Sequence, residues 1–176
     1  MTASVISGFV AIFPIRVFPD PVLRMAARPV GVVDDEVRRL IDDMLETMYA
    51  APGVGLAAPQ IGIGLRVVVF DVGDGPHALV NPALDDTGGS WVYEEGCLSV
   101  PNRYWPIKRP AYARAHGLDR DGKPVVFEGD ELIGRVLQHE IDHVAGTLLL
   151  SRLARRVRRD ALRELREASL EAGDPR

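Results

Sequence analysis

The sequence predicts an α+β fold, with short antiparallel strands packed around a central helix carrying His139-Glu140-Ile141-Asp142-His143 and a further helix at the C-terminal end. Three observations predict it. Val37, Leu40, Ile41, Met44, Leu45 and Met48 form one apolar stripe at helical spacing, ahead of any strand pattern. Short β-branched runs separated by turn residues fill the middle of the chain, and two more helical patterns follow. Helix, several short strands, helix, helix is a segregated order, unlike the alternation that builds a parallel sheet.

The first helix begins at Asp34, whose side chain suits an N-cap; Asp35 and Glu36 favour the positive end, and Pro52-Gly53 stops the helix. A glycine-punctuated loop covers residues 53–64. Residues 65–71 then read as a buried strand, with short strands near 78–81 and 91–93. A hairpin joins residues 112–118 to 125–128 through Asp121-Gly122, a strong turn dipeptide. The second helix spans residues 131–145, with Gly146 as its stop, and a charged third helix covers 152–171.

The chain has 176 residues, 47% of them hydrophobic and 26% charged, which fits one soluble globular domain over residues 1–176. Residues 1–13 read as an N-terminal extension or edge strand, and 152–176 as a basic C-terminal helix and tail. A formal net charge of −4 excludes a protein that binds nucleic acid by its overall field. No segment reaches the roughly 18 apolar residues of a membrane span, and no basic residue precedes the apolar stretch at 6–15 as in a signal peptide. One cysteine excludes an internal disulfide framework and fits a reducing compartment, so cytoplasm is expected.

Chemistry concentrates on the second helix. His139 and His143 are four residues apart, so their imidazoles leave one face and can converge on one ion. Glu140 stands one step round, within reach of a water on that ion without being a ligand. A catalytic metal commonly takes three protein ligands. No histidine follows His143, and Glu164, Glu167 and Glu171 lie among arginines as expected for surface charge pairs. A lone cysteine is commonly a buried small hydrophobe. Beside an HExxH motif that lacks a third ligand downstream, Cys97 is the better candidate. Gly53-Val54-Gly55-Leu56-Ala57-Ala58-Pro59-Gln60 is not a phosphate loop, since no Lys-Ser/Thr follows. It reads either as a plain glycine-rich turn or as an uncharged wall that lends an amide to an oxyanion.

Together these segments resemble the peptide deformylases. That family's signatures are a GxGLAAxQ loop, an EGCLS segment and a QHExDH helix. They stand here in order as GVGLAAPQ at 53–60, EGCLS at 95–99 and QHEIDH at 138–143. Asp20-Pro21-Val22-Leu23-Arg24, Asn81-Pro82 and Asp121-Gly122-Lys123-Pro124 support the match, which covers residues 15–153.

The resemblance implies removal of the formyl group from N-terminal formylmethionine, releasing formate. It implies Cys97, His139 and His143 as metal ligands, Glu140 as the proton carrier, and the Gln60 amide with the Leu98 N–H as oxyanion donors. Fe²⁺ would be the cellular ion, with Zn²⁺, Ni²⁺ or Co²⁺ able to substitute. Gly55 and Gly96 would meet the extended peptide, with Val54, Glu95, Arg135, Val136 and His139 around the methionine side chain. Partners would be nascent formylmethionine peptides; apart from the resemblance, the arginines of the C-terminal helix read either as a solvated charged face or as a contact with ribosomal RNA, and neither a membrane nor a specific nucleic-acid sequence is expected. Arg103 would either meet the substrate's backbone or lie on the surface. Gly134 stands where the family commonly has alanine, and reads as a tolerated site of closer packing. Two other readings are an HExxH metallopeptidase with a different third ligand and a metal-binding protein without catalysis.

Overall fold

The computed structural model describes residues 10–171. Three α-helices, α1 (Asp35–Ala50), α2 (Glu131–Val144) and α3 (Arg155–Glu171), accompany seven strands. β1 (Gly55–Ala57), β2 (Val67–Phe70), β3 (His77–Gly88), β6 (Tyr112–Leu118) and β7 (Pro124–Asp130) form one sheet in the order β1-β2-β3-β6-β7. β4 (Trp91–Cys97) and β5 (Val100–Arg109) form a separate two-stranded ribbon. Every strand pairing is antiparallel.

The sheet is covered on both faces at its β1–β2 end, and the period of two along β2 shows how. Val67 and Val69 join Val37, Ile41, Met44 and Met48 of α1 in one core. Val68 and Phe70 join Val136, Leu137 and Val144 of α2 in another. A strand buried on both faces needs no polar alternation, which is why Val-Val-Val-Phe reads as a continuous apolar run. β3 continues the division, with Val80 on the α1 side and Leu79 on the α2 side.

Local chemistry fixes the element ends. The Asp34 side chain accepts from the backbone N–H of Glu36 and Val37 at 3.1 and 3.0 Å, satisfying two of the free donors that open α1. In the β6–β7 turn the Asp119 carboxylate accepts from the N–H of Asp121 and Lys123 at 2.8 and 2.9 Å, and Gly122 takes φ +77°. Asn81 ties the sheet to the first segment, accepting from Val30 N–H and donating to Val30 C=O, both at 2.8 Å.

Several expectations change. Part of the 53–64 loop is the short strand β1 followed by a 3₁₀ turn, Ala58–Ile61. The strand expected at 78–81 runs as β3 from His77 to Gly88. The third helix starts at Arg155, three residues later than expected, after a 3₁₀ turn, Leu149–Arg152. Residues 10–15 join no strand; Ala11 N–H and Phe13 N–H donate to the Asp43 and Thr47 side chains of α1 at 2.7 and 3.0 Å. The remainder of the N-terminal extension and the last residues of the tail lie outside the described residues. Among the described residues no helix is long and apolar enough to cross a membrane.

Two glycines mark the close approaches of α2. A Cβ on Gly134 would lie 2.6 Å from Gly129 O and 2.7 Å from Ala111 O, so the helix sits directly on the sheet backbone there. Gly146, just past the helix, has φ +74°, and a Cβ would lie 2.7 Å from Arg24 O. Gly146→Ala combines left-handed strain with a backbone overlap and should cost about 2–4 kcal/mol. Urea denaturation of the variant beside wild type measures this, and a loss below about 0.5 kcal/mol would contradict it.

Candidate metal centre

α2 turns its two kinds of residue in two directions. Val136, Leu137 and Val144 enter the sheet core, while Arg135, His139 and His143, spaced by four, share the opposite stripe. β4 faces that stripe. Glu95 and Cys97, two apart, leave the same side of the strand. A bulge then helps to aim the thiol: Gly96 pairs with Tyr104 but Cys97 with Val100, so β5 carries extra residues opposite this point.

The result is convergence. The ligand atoms of Cys97, His139 and His143 all lie within 4.8 Å of one another. His143 Nε2 is 3.1 Å from His139 Nε2 and 3.2 Å from Cys97 Sγ. One proton can bridge only one of these gaps, whereas a cation answers all three lone pairs. Tetrahedral bonds of ordinary length, about 2.0–2.1 Å to nitrogen and about 2.3 Å to sulfur, imply about 3.3 Å between nitrogens and about 3.6 Å from nitrogen to sulfur. The observed separations are within a few tenths of an ångström, so the donors fit a tetrahedral divalent ion.

The supports of these ligands are as informative as the ligands. His139 Nδ1 lies 2.7 Å from Glu95 Oε1, a contact that fixes the ring and turns Nε2 toward the centre. Glu95 is buried, and three cationic or donor groups close on it. Arg109 grips both oxygens, Nε to Oε2 at 2.9 Å and Nη2 to Oε1 at 2.7 Å. Arg135 Nη1 adds a bond to Oε2 at 2.6 Å. Burial alone would raise the Glu95 carboxyl, but the bonds from His139 and Arg109 hold it well below the usual carboxylate range. Arg109 also reaches Asp142 at 2.8 Å, and Asp142 receives both Nε and Nη2 of Arg152. The network therefore runs from the 3₁₀ turn after α2 to the ring of His139.

Glu140 stands apart from that network. It is 4% exposed, its Oε2 has no hydrogen-bond partner among the described residues, and burial pushes its carboxyl up to about 7 against the pull of the His139 charge. A Cβ on Gly55 would overlap Glu140 Oε1, so a larger residue there would have to displace this carboxylate. Within the triad, burial opposes charge on His139 but Cys97 and Glu95 hold it well above the ordinary imidazole value. Burial and the His139 charge push His143 well below it.

Gln60 is 1% exposed and fully directed. Its Oε1 accepts from Ala57 N–H at 2.9 Å, so its Nε2 is the end turned to Ser99 Oγ at 3.2 Å and to Cys97 Sγ at 3.7 Å. Leu98 follows Cys97 directly in the β4–β5 turn. The Glu95 carboxylate is bonded to His139, Arg109 and Arg135, and Arg135 bonds through Nη1 and Nη2 to Glu95 and to the Ile107 and Trp91 carbonyls. Arg103 takes its surface alternative, pairing with Glu164 of α3 at 3.5 Å. Arg109, Asp142, Arg152 and Ser99 are site residues that sequence reasoning did not single out. For Arg109 a signal existed: it is two residues after buried Ile107 on β5, hence on the inward face.

Comparison with known proteins points to one family. Residues 12–159 match the family described as polypeptide deformylase. The peptide deformylase of Acidothermus cellulolyticus is 51% identical over 158 residues, covering 90% of this chain and 88% of that protein. Among solved structures, a peptide deformylase from Legionella pneumophila superposes with a TM-score of 0.86 at 43% identity, covering 94% of this chain and all of that one. The peptide deformylase of Thermus thermophilus gives 0.85 at 40% identity, covering 91% and 96%.

Removing one partner of a buried ion pair strands the other's charge. Arg109→Met leaves Glu95 and Asp142 short of their shared guanidinium and should cost about 3–5 kcal/mol. Urea unfolding at neutral pH checks this; stability within about 1 kcal/mol of wild type would show the network to be dispensable to the fold.

Proposed function

The chain belongs to the peptide deformylase family, and we propose that it hydrolyses the N-formyl group of formylmethionine peptides, releasing formate, with Cys97, His139 and His143 holding the divalent ion. The observation that carries this reading is the meeting of those three donors within 4.8 Å, beside a buried Glu140 whose Oε2 has no hydrogen-bond partner among the described residues. When bound, the ion supplies Lewis acidity, activating water and polarising the formyl carbonyl. Two imidazoles and a thiolate suit Fe²⁺ or Zn²⁺. We assign Fe²⁺ as the cellular ion, with Zn²⁺, Ni²⁺ or Co²⁺ as substitutes.

Glu140 takes a proton from the attacking water at its carboxylate and delivers it to the departing amine nitrogen. Its burial, with Oε2 unbonded among the described residues, leaves the carboxylate available for both transfers. Gln60 Nε2 and Leu98 N–H donate to the oxygen of the tetrahedral intermediate, and loss of one such donor typically costs about 10²–10³ in rate. Gly55 and Gly96 offer backbone to the extended peptide, as a strand does to an added edge. Val54 lines the methionine side chain, Val136 backs it from the sheet core, and Glu95 and Arg135 contribute only their carbon chains. The Cys97 ligand favours this reading over a metallopeptidase with a different third ligand.

The setting is the cytoplasm, on chains leaving the ribosome. Arg155, Arg156, Arg158, Arg159, Arg163 and Arg166 are exposed on α3, a basic surface suited to the phosphates of ribosomal RNA.

Two measurements test these assignments. Glu140→Ala should keep its metal and lose at least about 10²-fold in formate release from formyl-Met-Ala-Ser; Gly55→Ala, which displaces the same carboxylate, should fall in the same direction. Metal-loaded wild type that releases no formate would overturn the activity. Replacing Arg155, Arg159 and Arg166 with Glu should abolish salt-sensitive co-sedimentation with ribosomes and leave hydrolysis of the short peptide unchanged. Undiminished co-sedimentation would remove the ribosome contact.

A further inference from the structure

Arg135 does more than its place beside the motif suggests. Its guanidinium lies 4.8 Å from the ring centroid of Trp91 and 5.6 Å from that of Tyr93, whose rings are 4.7 Å apart. Nη2 donates to Trp91 C=O at 2.9 Å, and Nη1 to Ile107 C=O at 3.2 Å as well as to Glu95 Oε2. The group is thus held from both strands of the ribbon and aimed at one carboxylate. It is 3% exposed, so the arrangement is not a surface pair worth a few tenths of a kcal/mol.

Glu95 Oε1 is shared between His139 and Arg109, while Oε2 is shared between Arg109 and Arg135. With Arg109 alone the carboxylate could pivot about that fork, and the Nδ1 contact of His139 would move with it. A second guanidinium on Oε2 from α2 itself, one helical turn before His139, removes the pivot.

We propose that Arg135 is a positioning residue of the metal centre. Stacked on the Trp91–Tyr93 pair, it locks the Glu95 carboxylate that orients His139, and so sets how tightly and with what symmetry the centre holds a divalent ion. The inference rests on the reading of Cys97, His139 and His143 as ligands.

The test uses full-length protein, stripped of metal and titrated with Co²⁺ and with Zn²⁺ against a competing chelator. Wild type should show the thiolate-to-cobalt absorption and the d–d bands of a four-coordinate site; their absence would overturn the ligand assignment itself. Arg135→Met should weaken Zn²⁺ binding about 10–100-fold, the range for losing an outer partner of a ligating histidine, and shift or broaden the d–d bands. Arg135→Lys, which restores a positive charge beside Oε2 without the fork, should recover part of the affinity. It also serves as the folded variant if Arg135→Met does not fold, and should then itself bind Zn²⁺ more weakly than wild type. Variants that unfold earlier yet keep the wild-type Zn²⁺ affinity and cobalt spectrum would overturn the proposal, leaving Arg135 a purely structural residue.

Discussion

Glu95 is a carboxylate almost without access to water, and the arrangement around it explains more of the molecule than any other single group. A bare buried charge is costly enough that it would ordinarily be neutralised. Here Arg109 from β5 and Arg135 and His139 from α2 converge on it, and the strand that carries it delivers Cys97 two residues later. The ribbon and the helix therefore cannot separate without stranding charge. The same contacts that secure the ribbon also set the ring of His139, one of the three proposed metal ligands.

The sheet provides the other half of the frame. Because β2 is covered by α1 on one side and α2 on the other, its position is fixed across two cores, and β1 is added at its edge in register Leu56 with Val69. β1 then brings Gly55 against Glu140. The three proposed ligands come from the ribbon and α2, while Glu140 meets the sheet edge, so the candidate site lies where three separately built pieces meet.

Much of this was legible in the sequence where a signal is local and repeated. The α1 stripe with Asp34 before it, the Asp121-Gly122 hairpin and the HExxH spacing each express a period or a turn chemistry within a few residues. The family signatures supplied the pairing of Cys97 with the two histidines, which spacing alone left open. What escaped was non-local. Three residues of β1 carry no period, and they form a strand only because β2 offers an edge. The Arg109–Glu95–Arg135 cluster joins residues 14 and 40 positions apart, and an arginine destined for burial looks the same in a sequence as a solvated one. Arg103, six residues before Arg109 and chemically identical, pairs with Glu164 at the surface.

A carboxamide is nearly symmetric in outline, and only its bonding decides which end faces where. Ala57 N–H can bond only to an oxygen, and it holds Gln60 Oε1. The end turned toward Cys97 is then the NH₂ group, with no freedom to invert. That patch of wall is electropositive although it contains no ion, and its sign is fixed by a main-chain donor three residues away. A glutamate in the same outline would reverse the polarity at unchanged volume, so the wall distinguishes ligands by charge where shape alone would not.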